Sequence, residues 1–236
     1  MPGAEPMPTI PGNKTEEARG MARKTLRGIR VAALATDGFE QVELTLPMRA
    51  LRKRGAQVDV ISLHKGRIRG LNLLYPGKKV RVDETVHSAR PRDFDALLIP
   101  GGFANPDSLR QSDEVLDFVR EFHWLGRPIA TLCHGPWVLV SAGLVRGRKL
   151  AAWPGIKDDI RNAGGEWVDE SGVRDDLWFS SRGPHDMRHF LKGMVKLFAE
   201  KAPRNHLEER SRWGRWLFAA LLGWVAIRPL RNALAR

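Results

Sequence analysis

The 236-residue sequence contains a single cysteine. One thiol excludes an internal disulfide framework and any zinc site built from several cysteines, and it suits a reducing, cytoplasmic compartment. No apolar h-region opens the chain, so the N-terminus does not read as a secretory signal, and Glu5, Glu16 and Glu17 argue against a mitochondrial transit peptide. No Gly-rich phosphate fingerprint is present, which removes the case for a nucleotide cofactor. His64, His87, His123, His189 and His206 are scattered without metal-ligand spacing, so no metal is expected. There is no internal repeat.

Positive charge is what the chain has in excess, with a formal net charge of +12. The surplus is uneven: residues 201–236 carry +6, residues 1–28 carry +2, and residues 29–200 carry +4. A nucleic-acid-binding fold spreads or stripes its charge over the folded surface. On this count the body is not read as one, and no nucleic-acid partner is expected.

Residues 1–27 lack a hydrophobic period and read as a mobile extension. From residue 28 the pattern sharpens. The apolar run 29–35 has the character of a parallel strand covered on both faces. A helical spacing over 40–54, carried by Val42, Leu44, Met48 and Leu51, stops at Gly55. Further strands are predicted at 58–63, 95–100, 128–133, 166–168 and 177–181, and further helices at 115–122, 135–142, 153–163 and 186–199. A Gly/Lys/Arg-rich excursion with short strands separates the second strand from the third. Strands alternating with helices predict a doubly wound parallel sheet sandwiched by helices over 28–200, a flavodoxin-like α/β fold.

Cys133 falls where a buried strand ends and a helix begins. In open α/β sheets chemistry gathers at the carboxyl ends of strands. A sharp strand-to-helix turn pushes its central side chain out, Gly135 relieves the crowding, and the helix start behind it favours a thiolate. The competing reading is a buried structural cysteine.

Three segments in order, Gly38-Phe39-Glu40-Gln41-Val42-Glu43, Pro100-Gly101-Gly102 and Cys133-His134-Gly135-Pro136, resemble the ThiJ/PfpI superfamily, in particular its PfpI-type intracellular protease/amidase branch with a class I glutamine amidotransferase-like fold. Pro154-Gly155-Ile156-Lys157-Asp158-Asp159 and Ser180-Ser181-Arg182-Gly183-Pro184 match further stretches of that branch. The similarity covers about residues 28–200.

The resemblance implies that Cys133 is the nucleophile and Glu40 the acid that hydrogen-bonds its thiolate; a first-turn helix acid is the other reading of Glu40. His134 follows the nucleophile directly, so its side chain is expected to diverge from that of Cys133. By resemblance it is met by an acid from a neighbouring subunit, for which Asp107 is the match; an N-cap role competes. Gly102 and His134 would offer backbone N–H groups as an oxyanion hole. Trp153 and Arg182 are candidate pocket residues, against a core aromatic and a surface salt bridge. Thr131 stands where a glutaminase elbow has glycine, and no His-Pro-Glu-like motif follows at the right distance. A glutaminase activity is therefore not implied.

The family likeness implies a cofactor-independent, oligomeric cysteine hydrolase or lyase acting on reactive carbonyls. Its substrate would be a small carbonyl compound or a glycated protein, with glyoxalase-type or deglycase chemistry in a stress-protective role. Two other functions stay open: an intracellular cysteine peptidase using Cys133, His134 and Asp107, and a redox-sensing or holdase protein in which Cys133 is oxidised without turnover.

After Pro203 the composition changes. Residues 216–227 are uncharged and bracketed by Arg210, Arg212, Arg215, Arg228 and Arg231. A helix of that length reaches roughly 18 Å, short of the ~30 Å hydrocarbon core. Trp213, Trp216 and Trp224 beside arginines suit a membrane surface contacted through 213–231, which would make the protein peripheral to the membrane. A tail helix packed on the body or on a neighbouring subunit is the alternative.

Overall fold

The computed structural model describes residues 25–203. The tail helix expected over 201–236, and all but the end of the N-terminal extension, lie outside the described residues. That extension ends earlier than expected. Leu26 is fully buried, its N–H donates to the Arg54 carbonyl at 3.0 Å, and it packs in the core beneath the first helix.

The central sheet is built on β1 (Arg30–Leu34). Its alternate side chains go to opposite faces: Val31 and Ala33 enter one core, Ala32 and Leu34 the other. That is why the run shows no polar alternation. β3 (Gln57–Ser62) and β7 (Ala96–Ile99) flank β1 in parallel register. β6 (Glu84–Thr85) continues one side; β8 (Ile129–Leu132) and β12 (Trp178–Ser181) continue the other, all parallel. Only β11 (Val173–Asp175), the edge strand on β12, runs antiparallel. The order β11-β12-β8-β7-β1-β3-β6 reverses direction between β1 and β7. A ligand crevice is expected there, outside the carboxyl ends of the strands.

Two helices cover one face. α1 (Gln41–Lys53) contributes Leu44, Met48 and Leu51 to the core. α6 (Met187–Lys201) contributes Phe190, Met194, Leu197 and Phe198. Each such burial removes an apolar side chain from water at a gain of roughly 1.5–3 kcal/mol. The other face is covered by α2 (Ala104–Leu109), α3 (Asp113–Trp124), α4 (Pro136–Ser141) and α5 (Lys157–Asn162). Ser112 caps α3 by accepting from the Val115 N–H.

The helices expected over 153–163 and 186–199 each begin as a 3-10 turn, Pro154–Ile156 and Pro184–Asp186, before α5 and α6 proper. Proline lacks the N–H and its fixed φ suits a first turn. The excursion is a hairpin of β4 (Arg67–Asn72) and β5 (Tyr75–Arg81), with β2 (Phe39–Glu40) paired to β4. Glu40 therefore belongs to this small sheet and not to the end of β1. Two further short strands, β9 (Lys149–Leu150) and β10 (Glu166–Trp167), pair with each other. No helix among the described residues is long and apolar enough to cross a membrane.

Candidate active site

Three chain segments meet beyond the carboxyl ends of the sheet: the start of α1, the Pro100-Gly101-Gly102 turn after β7, and Cys133 after β8. Cys133 has φ 56°, a left-handed backbone that non-glycine residues rarely adopt. Such a residue costs on the order of 1–3 kcal/mol and persists only where its surroundings over-determine it. They do so here: its N–H donates to the Ser181 carbonyl at 3.1 Å and its carbonyl accepts from Trp153 N–H at 3.0 Å. Gly135 allows the turn to close, because a Cβ there would come within 2.5 Å of Thr131 Oγ1 and 2.7 Å of the Ile99 carbonyl oxygen.

The carboxyl beside the thiol is that of Glu43, in the first turn of α1. Gly101 N–H donates to Glu43 Oε2 at 2.8 Å, and the Cys133 thiol lies against the same carboxyl. Glu43 is wholly inaccessible to solvent. Burial, with the nearby Glu40 charge adding to it, pushes its pKa up to about 8, so the carboxyl is uncharged at neutral pH. Burial also pushes the Cys133 thiol upward, and negative charge on Glu43 acts in the same direction. The backbone N–H groups of Gly102 and His134 both point at the sulfur and oppose that rise. The pair shares its protons: neither group can ionise without cost while the other is charged.

His134 does not diverge from the nucleophile as expected. Its Nδ1 lies 3.2 Å from Cys133 Sγ, because the left-handed turn at Cys133 breaks the alternation that normally sends neighbouring side chains apart. Burial lowers the pKa of His134, which keeps its ring neutral and able to accept a proton. Three aromatic side chains surround it. Trp153 stacks on the His134 ring at 5.8 Å and 26°, and Phe103 and Trp137 approach at 5.9 and 5.2 Å. Phe103 is 68% exposed and Trp153 39%, so these rings form an open aromatic rim above a buried sulfur.

The other sequence candidates sit further out. The Glu40 carboxylate accepts from Leu73 N–H at 3.0 Å and so holds the tip of the β4–β5 hairpin. The expectation that Glu40 is the acid on the thiolate is thus corrected to Glu43. Arg182 is occupied: its guanidinium reaches Asp169 at 2.7 Å and Asp186 at 2.7 and 2.9 Å, and both carboxylates push its pKa upward. It braces the loop after β12 and is not a free pocket cation. Asp107 lies in the first turn of α2, where its carboxylate accepts from Gln111 at 3.3 Å. It caps neither α2, whose N-cap residue is Phe103, nor α3, which Ser112 caps. Among the described residues no group of three His, Cys, Asp or Glu side chains gathers as a metal site would require.

Sequence reasoning passed over Glu43, Phe103 and Trp137. A signal for Glu43 was there: it shares a helix face with Pro47 and Leu51, four and eight residues on, both buried. A carboxyl on the core-facing side of a helix needs a partner. Phe103 and Trp137 flank the motifs but carry no spacing that would single them out.

Several known proteins are similar to this chain over most of its length. A deglycase of Pyrococcus horikoshii is 42% identical over 169 residues, covering 72% of this chain and 99% of its own length. A protein named protein/nucleic acid deglycase 2, from Escherichia coli, is 39% identical over 173 residues, covering 71% of this chain and 96% of its own. Among solved structures, a two-domain protein from Anabaena variabilis with DJ-1/ThiJ/PfpI-like and ferritin-like domains superposes with a TM-score of 0.68 at 31% identity. It matches 71% of this chain, which spans only 47% of that longer protein. The DJ-1/PfpI family model matches residues 29–197, the whole sheet with its helices, and the chain belongs to the DJ-1/PfpI family.

Proposed function

We propose that the protein is a cysteine-dependent deglycase that removes methylglyoxal-type adducts from proteins and restores the free side chain. The observation that carries this reading is a thiol with two proton carriers on it: His134 Nδ1 at 3.2 Å and the uncharged carboxyl of Glu43. The deglycase names of the Pyrococcus horikoshii and Escherichia coli relatives supply the substrate class.

The chemistry follows from the proton inventory. An aminocarbinol adduct collapses to the free amine and the ketoaldehyde. As the Cys133 sulfur bonds to the aldehyde carbon, His134 Nδ1 takes the thiol proton and Glu43 gives its proton to the forming hydroxyl. Glu43, now a carboxylate, lifts the hydrogen from that carbon while protonated His134 gives its proton to the ketone oxygen; Glu43 then delivers the hydrogen to the adjacent carbon as the first hydroxyl returns its proton to His134 and becomes the thioester carbonyl. The product is a thioester of a 2-hydroxy acid, which water cleaves to free acid and thiol. The N–H groups of Gly102 and His134 would hold the oxyanion. A carboxyl with a pKa near the working pH is the right relay, because it both gives and takes a proton at little cost.

Trp153 would line the entrance, and Asp107 of a neighbouring copy would meet His134 in a homo-oligomer. The Escherichia coli name adds nucleic acids, so a glycated nucleotide is the second substrate to offer. The test is release of hydroxy acid from a methylglyoxal-treated peptide, measured beside peptide-bond cleavage and stable oxidation of Cys133. Hydroxy acid formation by the wild type and none by Cys133→Ser supports the reading. Peptide cleavage, or oxidation without turnover, replaces it.

A further inference from the structure

We propose that the face formed by α1, α6 and the β4–β5 hairpin is a docking surface for an anionic lipid bilayer. The net charge of the body conceals how its charges are arranged. On α1, Arg49, Arg52 and Lys53 are exposed and Arg54 half-exposed; on α6, Arg188, Lys192, Lys196 and Lys201 are exposed. The hairpin adds Arg67, Arg69, Lys78, Lys79 and Arg81, all exposed. The only exposed carboxylate on these four elements is Glu200, already held by Arg174 at 2.6 Å and by Lys196 at 4.0 Å. On the other face α3 sets Asp113, Glu114, Asp117 and Glu121 against Arg120 alone, and α5 balances Asp158 and Asp159 with Lys157 and Arg161. The sum of +4 over residues 29–200 thus conceals a basic face.

These elements form one continuous face, since α1, α6 and the hairpin residue Ile68 pack into the same core, with Val80 against it. Two open grooves border α1. One, of about 500 Å³, is lined by Thr45, Met48, Arg49, Arg52, Lys53 and Val80. The other, of about 410 Å³, lies against α6 and is lined by Ala50, Leu191, Val195 and Ala199 together with Arg54, Arg188, Lys192 and Lys196. Each sets cations beside aliphatic side chains, which suits a phosphate headgroup and the apolar chain attached to it.

A nucleic acid is the other polyanion to weigh. The two grooves, however, are lined by no aromatic side chain on which a base could stack and by no Asn or Gln that could read a base edge. The chain beyond this face decides for lipid. It leaves α6 at Lys201 and continues in sequence to Trp213, Trp216, Trp224 and the uncharged residues 216–227, bracketed by arginines. An apolar segment and a polybasic patch together supply the two signals that stable membrane attachment takes.

The experiment is sedimentation of the full chain with vesicles of phosphatidylcholine alone and with 30% phosphatidylglycerol, beside a filter-binding assay with duplex DNA. The variants are Arg49→Glu/Lys53→Glu/Lys192→Glu on the face and Arg92→Glu/Arg146→Glu/Lys157→Glu elsewhere, which change net charge equally. Each Lys or Arg at an anionic surface is worth roughly fivefold in partition. The face variant should therefore lose about a hundredfold or more in binding to anionic vesicles. The control variant should lose much less, and the wild type should ignore phosphatidylcholine alone. Neutral Gln replacements at the same three face positions should give an intermediate loss, and turnover of the carbonyl substrate reports that the variants are folded. The proposal is overturned if the wild type does not bind anionic vesicles, if face and control variants lose binding equally, or if the face variant loses DNA binding alone.

Discussion

Glu43 and Cys133 meet beside the Gly101 turn, and burial raises the pKa of both. At neutral pH the sulfur is therefore a thiol, and the machinery that removes its proton is local: the neutral His134 ring at 3.2 Å. This is a different solution from a cysteine whose thiolate is stabilised by nearby positive charge. The thiol is held unreactive until a carbonyl arrives to accept the electrons, and the carboxyl next to it is poised to move protons in both directions.

The first prediction separates the two glutamates. Glu43→Gln keeps the shape but cannot relay a proton, and turnover should fall about 10²–10⁴-fold, the usual weight of a general acid–base group. Glu40→Gln loosens the Leu73 contact and leaves the relay in place, so its loss should be far smaller. Steady-state kinetics of the two variants on one substrate checks this.

The second concerns pH and activity. With Glu43 at about 8, the fraction carrying the needed proton declines as pH rises through that value. The pH profile of kcat/KM should therefore show a descending limb near pH 8, and Glu43→Gln, though slow, should lack it.

The third concerns pH and stability. Glu43 titrates near 4.5 in an unfolded chain and at about 8 when folded. Between those values the folded state holds a proton that the unfolded state has released. Its contribution is thus fully present below about pH 4.5 and is lost progressively toward pH 8, at up to about 1.4 kcal/mol per pH unit. Glu43→Gln should flatten this slope in denaturant titrations at pH 5 and pH 8, and should gain stability relative to wild type at the higher pH.

The fourth tests the packing of the turn. A Cβ at Gly101 would come within 2.6 Å of both Cys133 Cβ and Glu43 Oε2, and 2.9 Å of the His134 nitrogen. Gly101→Ala must push these groups apart. It should cost about 1–3 kcal/mol in thermal or chemical unfolding, as overpacking does, and reduce turnover at least tenfold. Gly143→Ala meets nothing within 4 Å but has φ 76°, so it serves as a strain control that leaves the site intact.

The sheet and most of its layers were legible because the buried strands are short apolar runs and the longer covering helices show a 3.6-residue stripe; α2, with six residues, and the edge strand β11, with three, are too short to show either. Cys133 was legible because a lone cysteine between strand and helix stands out. Glu43 was not, because a carboxyl on a core-facing position is readable only once the partner across the turn is known, and that partner lies ninety residues away in sequence. The convergence of Cys133 and His134 was hidden for another reason. Neighbouring side chains diverge on ordinary backbone, and only the left-handed φ of 56° reverses that. The basic face was hidden because a sum over the chain discards position. The double pairing of Arg182 was not legible either, because Asp169 and Asp186, thirteen and four residues away, both turn to it.

The most direct test of the account is a single-turnover experiment on a methylglyoxal-treated peptide, followed by mass spectrometry and by NMR of the released acid. The account predicts that the wild type restores the unmodified side chain and releases one hydroxy acid per adduct, through a transient acyl mass on Cys133. Cys133→Ser should release no hydroxy acid and carry no acyl mass. Full activity in Cys133→Ser, or release of the ketoaldehyde unchanged with no acyl intermediate, would contradict it.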